Sequence, residues 1–464
     1  MRVLVMEPPN QQLPIDTARP NGALGPAYLV GALRAAGIEA DYYDGTVGND
    51  DDSLERTFYN RVKQENGTIR YGASAERLAE VFSGYDVIAL SSIFTAQTRM
   101  HFEAIGIAKG LGKLVLAGGV NARALWNHFL RAGCDYVVPG DGEFSIVAFA
   151  LGRNPYGVEK DLDILPPPDL SALPLDRYRD IGISHSGILP PGVKFGAIQT
   201  SRGCQDKCSF CHISMEKEQG LGYLRKFSVE RVKQDVDRAV ALDINRLYFE
   251  DDNLFFSKKR LYDLAPVLRH PGLEYSNVNG ANLRFLFKDG KVDTEFIEML
   301  ASLPLVELVL PFESRNPAIM TKYATGKYNP DVYDSFALVE ALKRAGIRVA
   351  GNFMIGFEDE TWESVLRTKE FARELLSAGL DAVGFMIPVP YPGSLDCERR
   401  MQDRETREAF NRDPLSFTDR MHWRAKPLFT TLAPGEKLEA AVHEFWLELN
   451  PKQYVSHHLE RNVK

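Results

Sequence analysis

Three of the five cysteines in this chain lie close together, at Cys204, Cys208 and Cys211. They offer three sulfur ligands from one loop. Structural zinc sites are normally closed by four ligands, and His212, next to Cys211, is poorly placed to be the fourth. A disulfide would leave one of the three thiols unpaired. Thiolates are the usual ligands of iron–sulfur clusters, and three of them on a four-iron cluster leave one iron open to another molecule. On the cysteines alone, zinc stays open as an alternative.

The composition is that of a globular protein with more than one domain. A chain of 464 residues is expected to form two or three domains, and 44% apolar residues suffice for their cores. The net charge of −8 argues against a general nucleic-acid binder, which usually carries a basic surplus. The sequence has no apolar run of about 18 residues that would predict a membrane span. It begins with a strand pattern rather than a signal peptide, and its odd number of cysteines is not a disulfide framework, so we expect a cytoplasmic protein.

Short β-branched segments alternate with helical segments from residue 1 to about 150. The strand candidates are Arg2–Met6, Glu39–Tyr43, Asp86–Ser91, Lys113–Leu116 and Asp135–Val138. Helix candidates lie between them, at about 24–36, 75–83, 98–111 and 122–132. This pattern predicts a first domain, residues 1–150, built as a doubly wound parallel sheet whose ligands sit beyond the carboxyl ends of the strands. Small residues there, as in Ser91–Thr95 and Ala117–Val120, either let a large ligand approach the backbone or simply close tight turns.

A proline-rich stretch, residues 151–192, predicts an extended connector to a second alternating series. The strand candidates of that series are Lys194–Thr200, Arg246–Glu250, Glu274–Asn279, Val306–Phe312, Val349–Ile355 and Ala382–Val389. Its helix candidates are Val229–Leu242, Asp293–Leu303, Asp331–Ala345 and Thr361–Ala378. Six such units predict an open partial barrel over residues 193–394, and the cysteines follow its first strand, at the end where barrels carry their chemistry. Residues 395–464 are expected to add a short helical extension.

The cysteine spacing, with Phe210 directly before the last cysteine, resembles the signature of the radical S-adenosylmethionine (SAM) superfamily. The series of six units is similar to that family's partial (βα)6 TIM-type barrel. The front domain is similar to the Rossmann-like, cobalamin-binding domain of the cobalamin-dependent branch. The fold class implied is therefore α/β, with an N-terminal doubly wound parallel sheet, a partial barrel and a short helical extension.

This resemblance implies a role for particular residues. Cys204, Cys208 and Cys211 would hold a 4Fe-4S cluster whose free iron binds SAM, and they would form the catalytic centre. The other residues implied as SAM-binding are Phe210, Glu250, Asp251, Asn279, Glu313, Ser314 and Met386. Within this set, Phe210 and Met386 are expected near the adenine, the acids at 250–251 near the methionine amine, and Glu313 and Ser314 near the ribose or carboxylate. The sequence departs from the common pattern at Glu250, where acids replace glycines, in a variant similar to that of the cobalamin branch.

For the front domain the resemblance implies cobalamin. Many cobalamin domains ligate the lower face of cobalt with a histidine from the loop after the first strand. The first histidine of this chain is His101, far beyond that loop, so that ligand is expected to be absent. The nucleotide tail of the cofactor is expected along Ser91, Ser92, Thr95, Gly118 and Gly119.

The function implied is radical C-methylation. A 5′-deoxyadenosyl radical made from SAM would take hydrogen from an unactivated carbon, and methylcobalamin would donate the methyl group. Similar architectures carry out cyclisations or rearrangements without methyl transfer, and a non-catalytic iron–sulfur or cobalamin sensor is a further alternative.

The partners follow from the same resemblance. The substrate is expected to be a peptide or protein side chain or a small natural-product precursor, and the electron donor a flavodoxin or ferredoxin. No nucleic-acid or membrane partner is expected. Tyr391, His422, Trp423 and Arg424 are candidates to line the mouth of the substrate cavity.

Overall fold

The N-terminal part of the chain forms a five-stranded parallel sheet. The structure, a computed structural model, describes residues 1–22, 24–153, 157–184, 187–213, 223–277, 279 and 281–450. The strands are β1 (Arg2–Glu7), β2 (Glu39–Asp44), β3 (Val87–Ser91), β4 (Leu114–Gly118) and β5 (Tyr136–Val137). Their order in the sheet is β2-β1-β3-β4-β5. The order reverses between β1 and β3, and open α/β sheets bind ligands at such a switch point.

Helices cover both faces of this sheet, which explains why strands such as β1 and β3 are mostly apolar. In β1, for example, every residue after Arg2 is buried. The helices are Leu24–Ala35, Ala75–Ser83, Thr98–Gly110, Val120–Ala124, Trp126–Ala132 and Gly142–Ala150. All predicted elements of this part are present, but the helix expected at 122–132 is divided at Leu125, where the backbone leaves the helical conformation (φ −104°, ψ 28°).

A small antiparallel sheet was not predicted. It consists of Asn10–Gln12, Arg61–Lys63 and Ile69–Tyr71, with Ile69–Tyr71 in the middle. Strands of three residues are too short to show an alternating pattern. Their polar side chains are instead held by hydrogen bonds, as when the amide of Gln64 donates to Oε1 of buried Gln11 at 3.0 Å.

The proline-rich connector is less extended than expected. It forms short helices and a two-stranded hairpin: Leu162–Ile164, Leu170–Ala172, Leu175–Ile181, Ile183–Ser184 and Gly187–Ile188. Asp161 and Asp169 cap two of these turns by accepting backbone N–H groups. Leu162, Leu170 and Tyr178 are buried, so apolar side chains anchor the connector. The prolines at 166–168 lie within this anchored part, whereas Pro155 lies outside the described residues.

The second sheet has six parallel strands in chain order. They are β6 (Phe195–Ile198), β7 (Arg246–Phe249), β8 (Glu274–Asn277), β9 (Leu305–Glu313), β10 (Val349–Met354) and β11 (Ala382–Met386). The helices between them are Val229–Ala241, Lys258–Leu268, Thr294–Ala301, Pro317–Tyr323, Ser335–Arg344 and Trp362–Ser377. Two of these, Lys258–Leu268 and Pro317–Tyr323, were not predicted. The first contains Pro266 and the second has only seven residues, which weakens the helical pattern of each.

The C-terminal extension is helical over its described part, with helices at Leu395–Arg400, Arg404–Arg412, Pro414–Thr418 and Gly435–Leu449. It covers the free edge of the second sheet. The amide side chain of Asn450 accepts from the backbone N–H of Val383 and donates to its carbonyl oxygen, both at 2.9 Å. This pairing satisfies backbone groups of edge strand β11. Residues 451–464 of the predicted extension lie outside the described residues.

The prediction of an α/β protein with parallel sheets is confirmed. In the described part of the chain, no helix combines the length and the apolar character needed to cross a membrane.

Candidate active site

Short strand pairings hold the cysteine loop on both sides. Before the first cysteine, Ser201–Arg202 pairs antiparallel with Arg225–Lys226. In the middle of the loop, Lys207–Cys208 pairs with Ala324–Thr325, which directly follows a helix after β9. The loop is thus fixed between the ends of β6 and β9.

Consecutive acids after β7 fix the same loop. Asp251 accepts hydrogen bonds from the Thr200 backbone N–H at 3.0 Å, the Thr200 hydroxyl at 2.7 Å and the Ser201 hydroxyl at 2.6 Å. Burial raises the pKa of Asp251 to about 6, although these donors oppose the shift. Asp252 accepts from the N–H of Gly203 at 2.7 Å. Asp251 is therefore engaged with the loop.

The surroundings of the three thiols suit a thiolate-bound cluster. Burial raises the pKa of Cys208 to about 12 and that of Cys211 to about 11, so anionic sulfur needs compensation there. The ammonium group of Lys327 opposes both shifts. The backbone N–H of Asp206 donates to Sγ of Cys204 at 3.4 Å, and that of Ile213 to Cys211. Hydrogen bonds to sulfur are among the features that tune iron–sulfur clusters.

No three His, Cys, Asp or Glu side chains in the described part of the chain are arranged to hold one metal ion. In a cubane cluster each cysteine binds a different iron, so convergence on one point is not required. The loop, its basic neighbour and its backbone donors therefore fit a 4Fe-4S cluster.

Glu313 ends β9 beside this loop. It is buried, forms an ion pair with Lys327, and has a left-handed backbone with φ +58°. That conformation is unfavourable for a glutamate, and such strain concentrates at functional sites. Phe210 packs against Phe357, with ring centroids 6.0 Å apart.

Two predicted SAM contacts have protein partners. Ser314 is fully buried, and its hydroxyl lies 3.4 Å from both Glu360 and Thr368. Met386 ends β11, and its carbonyl oxygen accepts from the N–H of Ile355 at 2.9 Å.

A cavity of about 600 Å³ lies between the carboxyl ends of the two sheets. The front sheet and its loops contribute apolar residues such as Leu90 and Leu116. The loops that follow the strands of the second sheet contribute polar residues such as Gln199 and Asp252. Six predicted site residues line it: Ser91, Thr95, Gly118, Gly119, Glu250 and Asn279.

The front wall of the cavity is built by close backbone packing. Gly119 has φ +93°, and a Cβ there would lie 2.4 Å from the carbonyl oxygen of Ser92. Ser92 is fully buried, and its hydroxyl accepts from Asn121 at 3.0 Å. Both ring nitrogens of His101 lie 2.9 Å from backbone carbonyl oxygens, so this histidine is engaged within the protein.

At the mouth, Tyr391 and Trp423 line the cavity, as expected. Arg424 instead forms an ion pair with Asp16 at 3.3 Å, and His422 is buried.

The sequence reasoning missed an ion-pair network across the two sheets. Arg202, before the cysteines, pairs with Asp141 at 3.3 Å and with Glu143 at 2.5 Å. Arg225 pairs with the same Asp141 at 2.5 Å. Asp141 lies in the loop after β5, and Glu143 lies in the first turn of the helix that follows. His212 and Asp252 also line the cavity and were missed.

Residues 198–372 match the family model of the radical SAM superfamily. This chain contains a radical SAM domain. The match spans the cysteine loop and β7 to β10, so the recognition based on the cysteine motif is confirmed.

Relatives of this chain are named methyltransferases, and a solved structure shares its fold. The chain is 29% identical over 407 residues to an uncharacterized methyltransferase of Pyrococcus horikoshii, covering 80% of this chain and 78% of that protein. It is 26% identical over 341 residues to the bacteriochlorophyllide d C-12(1)-methyltransferase of Chlorobaculum tepidum, covering 71% and 69%. Its fold is similar to that of the radical S-adenosylmethionine methyltransferase TsrM from Kitasatospora setae, solved with cobalamin and a 4Fe-4S cluster bound. The TM-score is 0.60 at 17% identity, covering 87% of this chain and 79% of that chain.

Proposed function

We propose that this protein is a cobalamin-dependent radical SAM methyltransferase that methylates an unactivated carbon. The observation that carries this proposal is the cavity enclosed by the carboxyl ends of two parallel sheets, one of which bears the three-cysteine loop. Such an arrangement allows two cofactors and a substrate to meet in one space. The methyltransferase names of the relatives and the likeness to TsrM support this function.

The second sheet would hold the cluster and SAM. Its six strands in chain order are what an open (βα)6 barrel requires. Cys204, Cys208 and Cys211 would ligate the cluster. Glu250 and Asn279, which line the cavity, are suited to bind the polar methionine part of SAM.

The front sheet would hold cobalamin at its switch point. Gly118 and Gly119 form a wall without side chains, and Ser91 and Thr95 add small polar groups. Behind this wall, His101 is held by backbone carbonyl oxygens of Gln97 and Ser91 and so would keep the end of β3 in place.

When bound, the cluster and SAM supply a 5′-deoxyadenosyl radical, and methylcobalamin supplies the methyl group. The protein orients these groups and keeps water and oxygen away. Arg202 ties the loop after β5 to the segment before the cysteines, so it would fix the distance between the two cofactor sites.

The substrate would enter where the cavity opens to solvent. Ile93, Phe94 and Trp423 line the cavity and are 37%, 59% and 39% exposed. Exposed apolar residues around a cavity suit a partly apolar substrate. A peptide side chain or a small natural-product precursor fits this description, and a flavodoxin or ferredoxin would supply the electron.

The cluster is tested with protein prepared without oxygen and reconstituted with iron and sulfide. The wild type should hold about four irons per chain and cleave SAM to 5′-deoxyadenosine under a strong reductant. Changing any of Cys204, Cys208 or Cys211 to alanine should abolish both properties. Cys134→Ala is the matched control, because Cys134 is a buried thiol that lies just before β5, outside the cysteine loop. Iron-poor wild-type protein, or SAM cleavage that survives in the three variants, would refute the proposal.

Methyl transfer is tested with SAM that carries a deuterated methyl group. A candidate substrate should gain the mass of that methyl group only when cobalamin is present. A product without this gain would instead indicate cyclisation or rearrangement. Failure of the wild type to cleave SAM would favour a sensor.

A further inference from the structure

Glu7 is a buried acid for which the function above has no role. It ends β1 at the switch point of the front sheet and lines the cavity. Only 7% of its surface is exposed. Its Oε2 accepts a hydrogen bond from the Tyr42 hydroxyl at 3.0 Å. Within the described residues its Oε1 has no hydrogen-bond partner, so this oxygen is available to a ligand in the cavity.

A second buried acid, Asp44, lies beside it at the end of β2. Oδ1 of Asp44 accepts from the N–H of Thr46 at 2.8 Å, from its hydroxyl at 2.6 Å and from the Asn21 amide at 3.2 Å. Oδ2 accepts from the Tyr178 hydroxyl at 2.8 Å. Among the described residues, neither Asp44 nor Glu7 forms an ion pair with a lysine or arginine.

These surroundings give the two acids different protonation states. Burial raises the pKa of Glu7 well above its usual range, the charges of Asp44 and Glu250 raise it further, and only the Tyr42 hydroxyl opposes them. Burial also raises the pKa of Asp44, but several hydrogen bonds oppose it. The Tyr178 hydroxyl faces both acids and stays neutral, because burial raises its pKa as well. Asp44 therefore keeps the negative charge and Glu7 keeps the proton.

We propose that Glu7 is a cofactor-binding residue that, as a neutral acid, donates a hydrogen bond from its cavity-facing oxygen to an amide carbonyl of the bound corrinoid. This inference rests on the proposed function. The edge of a corrin ring carries amide side chains, whose carbonyl oxygens need donors when they are buried. An ionised Glu7 would place a negative charge against such an oxygen, so the corrinoid would bind only while Glu7 is protonated.

The test is a titration with hydroxocobalamin alone, without SAM or substrate, followed by the visible spectrum of the bound corrinoid. The full-length protein is titrated from about pH 6 to about pH 9, a range above the ordinary pKa of a glutamate. The affinity of the wild type should fall as pH rises through the raised pKa. Glu7→Gln keeps a donor that does not titrate, so it should bind at low pH as well as the wild type does and lose most of the fall in affinity at higher pH. Glu7→Ala should bind about fivefold more weakly than the wild type at low pH.

Glu39→Gln is the control for removal of an acid, because Glu39 is an exposed residue at the opposite end of β2. It should bind like the wild type at every pH. Thermal melting of each variant identifies any that fail to fold. Tyr42→Phe then tests the same site independently, because it removes the hydroxyl that donates a hydrogen bond to Glu7. This variant should also weaken binding at low pH.

Each result decides the inference. If Glu7→Gln binds as weakly as Glu7→Ala, Glu7 acts as a carboxylate and the inference is wrong. If all variants bind alike, Glu7 does not contact the corrinoid, and the proposed function is unaffected. If the folded wild type binds no corrinoid at all, the proposed function itself fails and the inference fails with it.

Discussion

Gly119 shows how strictly single residues shape the cavity wall. Replacement by alanine would combine an unfavourable φ of +93° with a Cβ 2.4 Å from a backbone oxygen of Ser92. We expect Gly119→Ala to lower the free energy of unfolding by about 2–3 kcal/mol. Gly118→Ala is the matched control, because its Cβ would meet only the Val138 side chain at 3.5 Å. Urea denaturation checks both, and equal stability of the two variants would contradict the prediction.

The raised pKa of Glu250 should make the stability of the protein depend on pH. Burial raises its pKa to about 7, helped by the charge of Asp251 and opposed by the N–H of Leu24. The folded protein therefore keeps this proton to higher pH than the unfolded chain does, so the free energy of unfolding falls as pH rises from about 4.5 to about 7. Relative to the wild type, Glu250→Gln should gain about 2–3 kcal/mol across that window.

Urea denaturation at a series of pH values measures this difference. The exposed Glu65, changed to Gln, is the control and should follow the wild type. A difference between Glu250→Gln and the wild type that does not vary with pH would show that Glu250 titrates normally.

The sequence located these residues only in part. The spacing of the three cysteines was enough to locate the cluster site, because all three ligands lie close together along the chain. Which of the consecutive acids Glu250, Asp251 and Asp252 faces the cavity depends on how the chain turns after β7. The structure turns Asp251 towards Thr200 and Ser201, whereas Glu250 and Asp252 line the cavity.

At the scale of elements, β9 and the segment after it are joined by one buried ion pair. Glu313 and Lys327 have side chains that are 5% and 16% exposed. Removing only the lysine would leave a buried carboxylate without compensation. We expect Lys327→Met to lower the free energy of unfolding by about 3–5 kcal/mol.

A second change separates charge from packing. Adding Glu313→Gln to Lys327→Met removes the unpaired charge and should restore most of the lost stability in urea denaturation. If the double variant is as unstable as the single one, the packing of Lys327 matters more than its charge.

Elements were predicted well where the physical signal is local. The strands of both sheets were found within a few residues, and several of them, such as β1 and β3, are mostly apolar. The helix Pro317–Tyr323 and the three-residue strands were missed, because tertiary contacts rather than a local pattern stabilise them. The proline content of the connector at 151–192 predicted an extended conformation. Burial of Leu162, Leu170 and Tyr178 instead packs the connector against the rest of the protein.

At the scale of the whole molecule, the C-terminal extension ties the two sheets together. Asp419 accepts from Arg99 of the front part at 2.8 Å and from Gln11 at 3.0 Å. Further along, Asn450 pairs with β11 of the second sheet. We expect Asp419→Ala to loosen the extension and to speed its cleavage by a protease several-fold, because local opening controls such cleavage.

Limited proteolysis with mass spectrometry follows the cut sites. Glu405→Ala, an exposed position on a neighbouring helix of the extension, should be cut like the wild type. Equal rates for Asp419→Ala and the wild type would show that this contact does not fasten the extension.

The cavity has walls from both sheets, so any molecule that fills it contacts both of them and stabilises their association. Its affinity adds to the cohesion of the folded chain by mass action. Cells starved of such a molecule should therefore accumulate less intact enzyme even when its gene is expressed at the same level, and supplementing the growth medium should raise the yield.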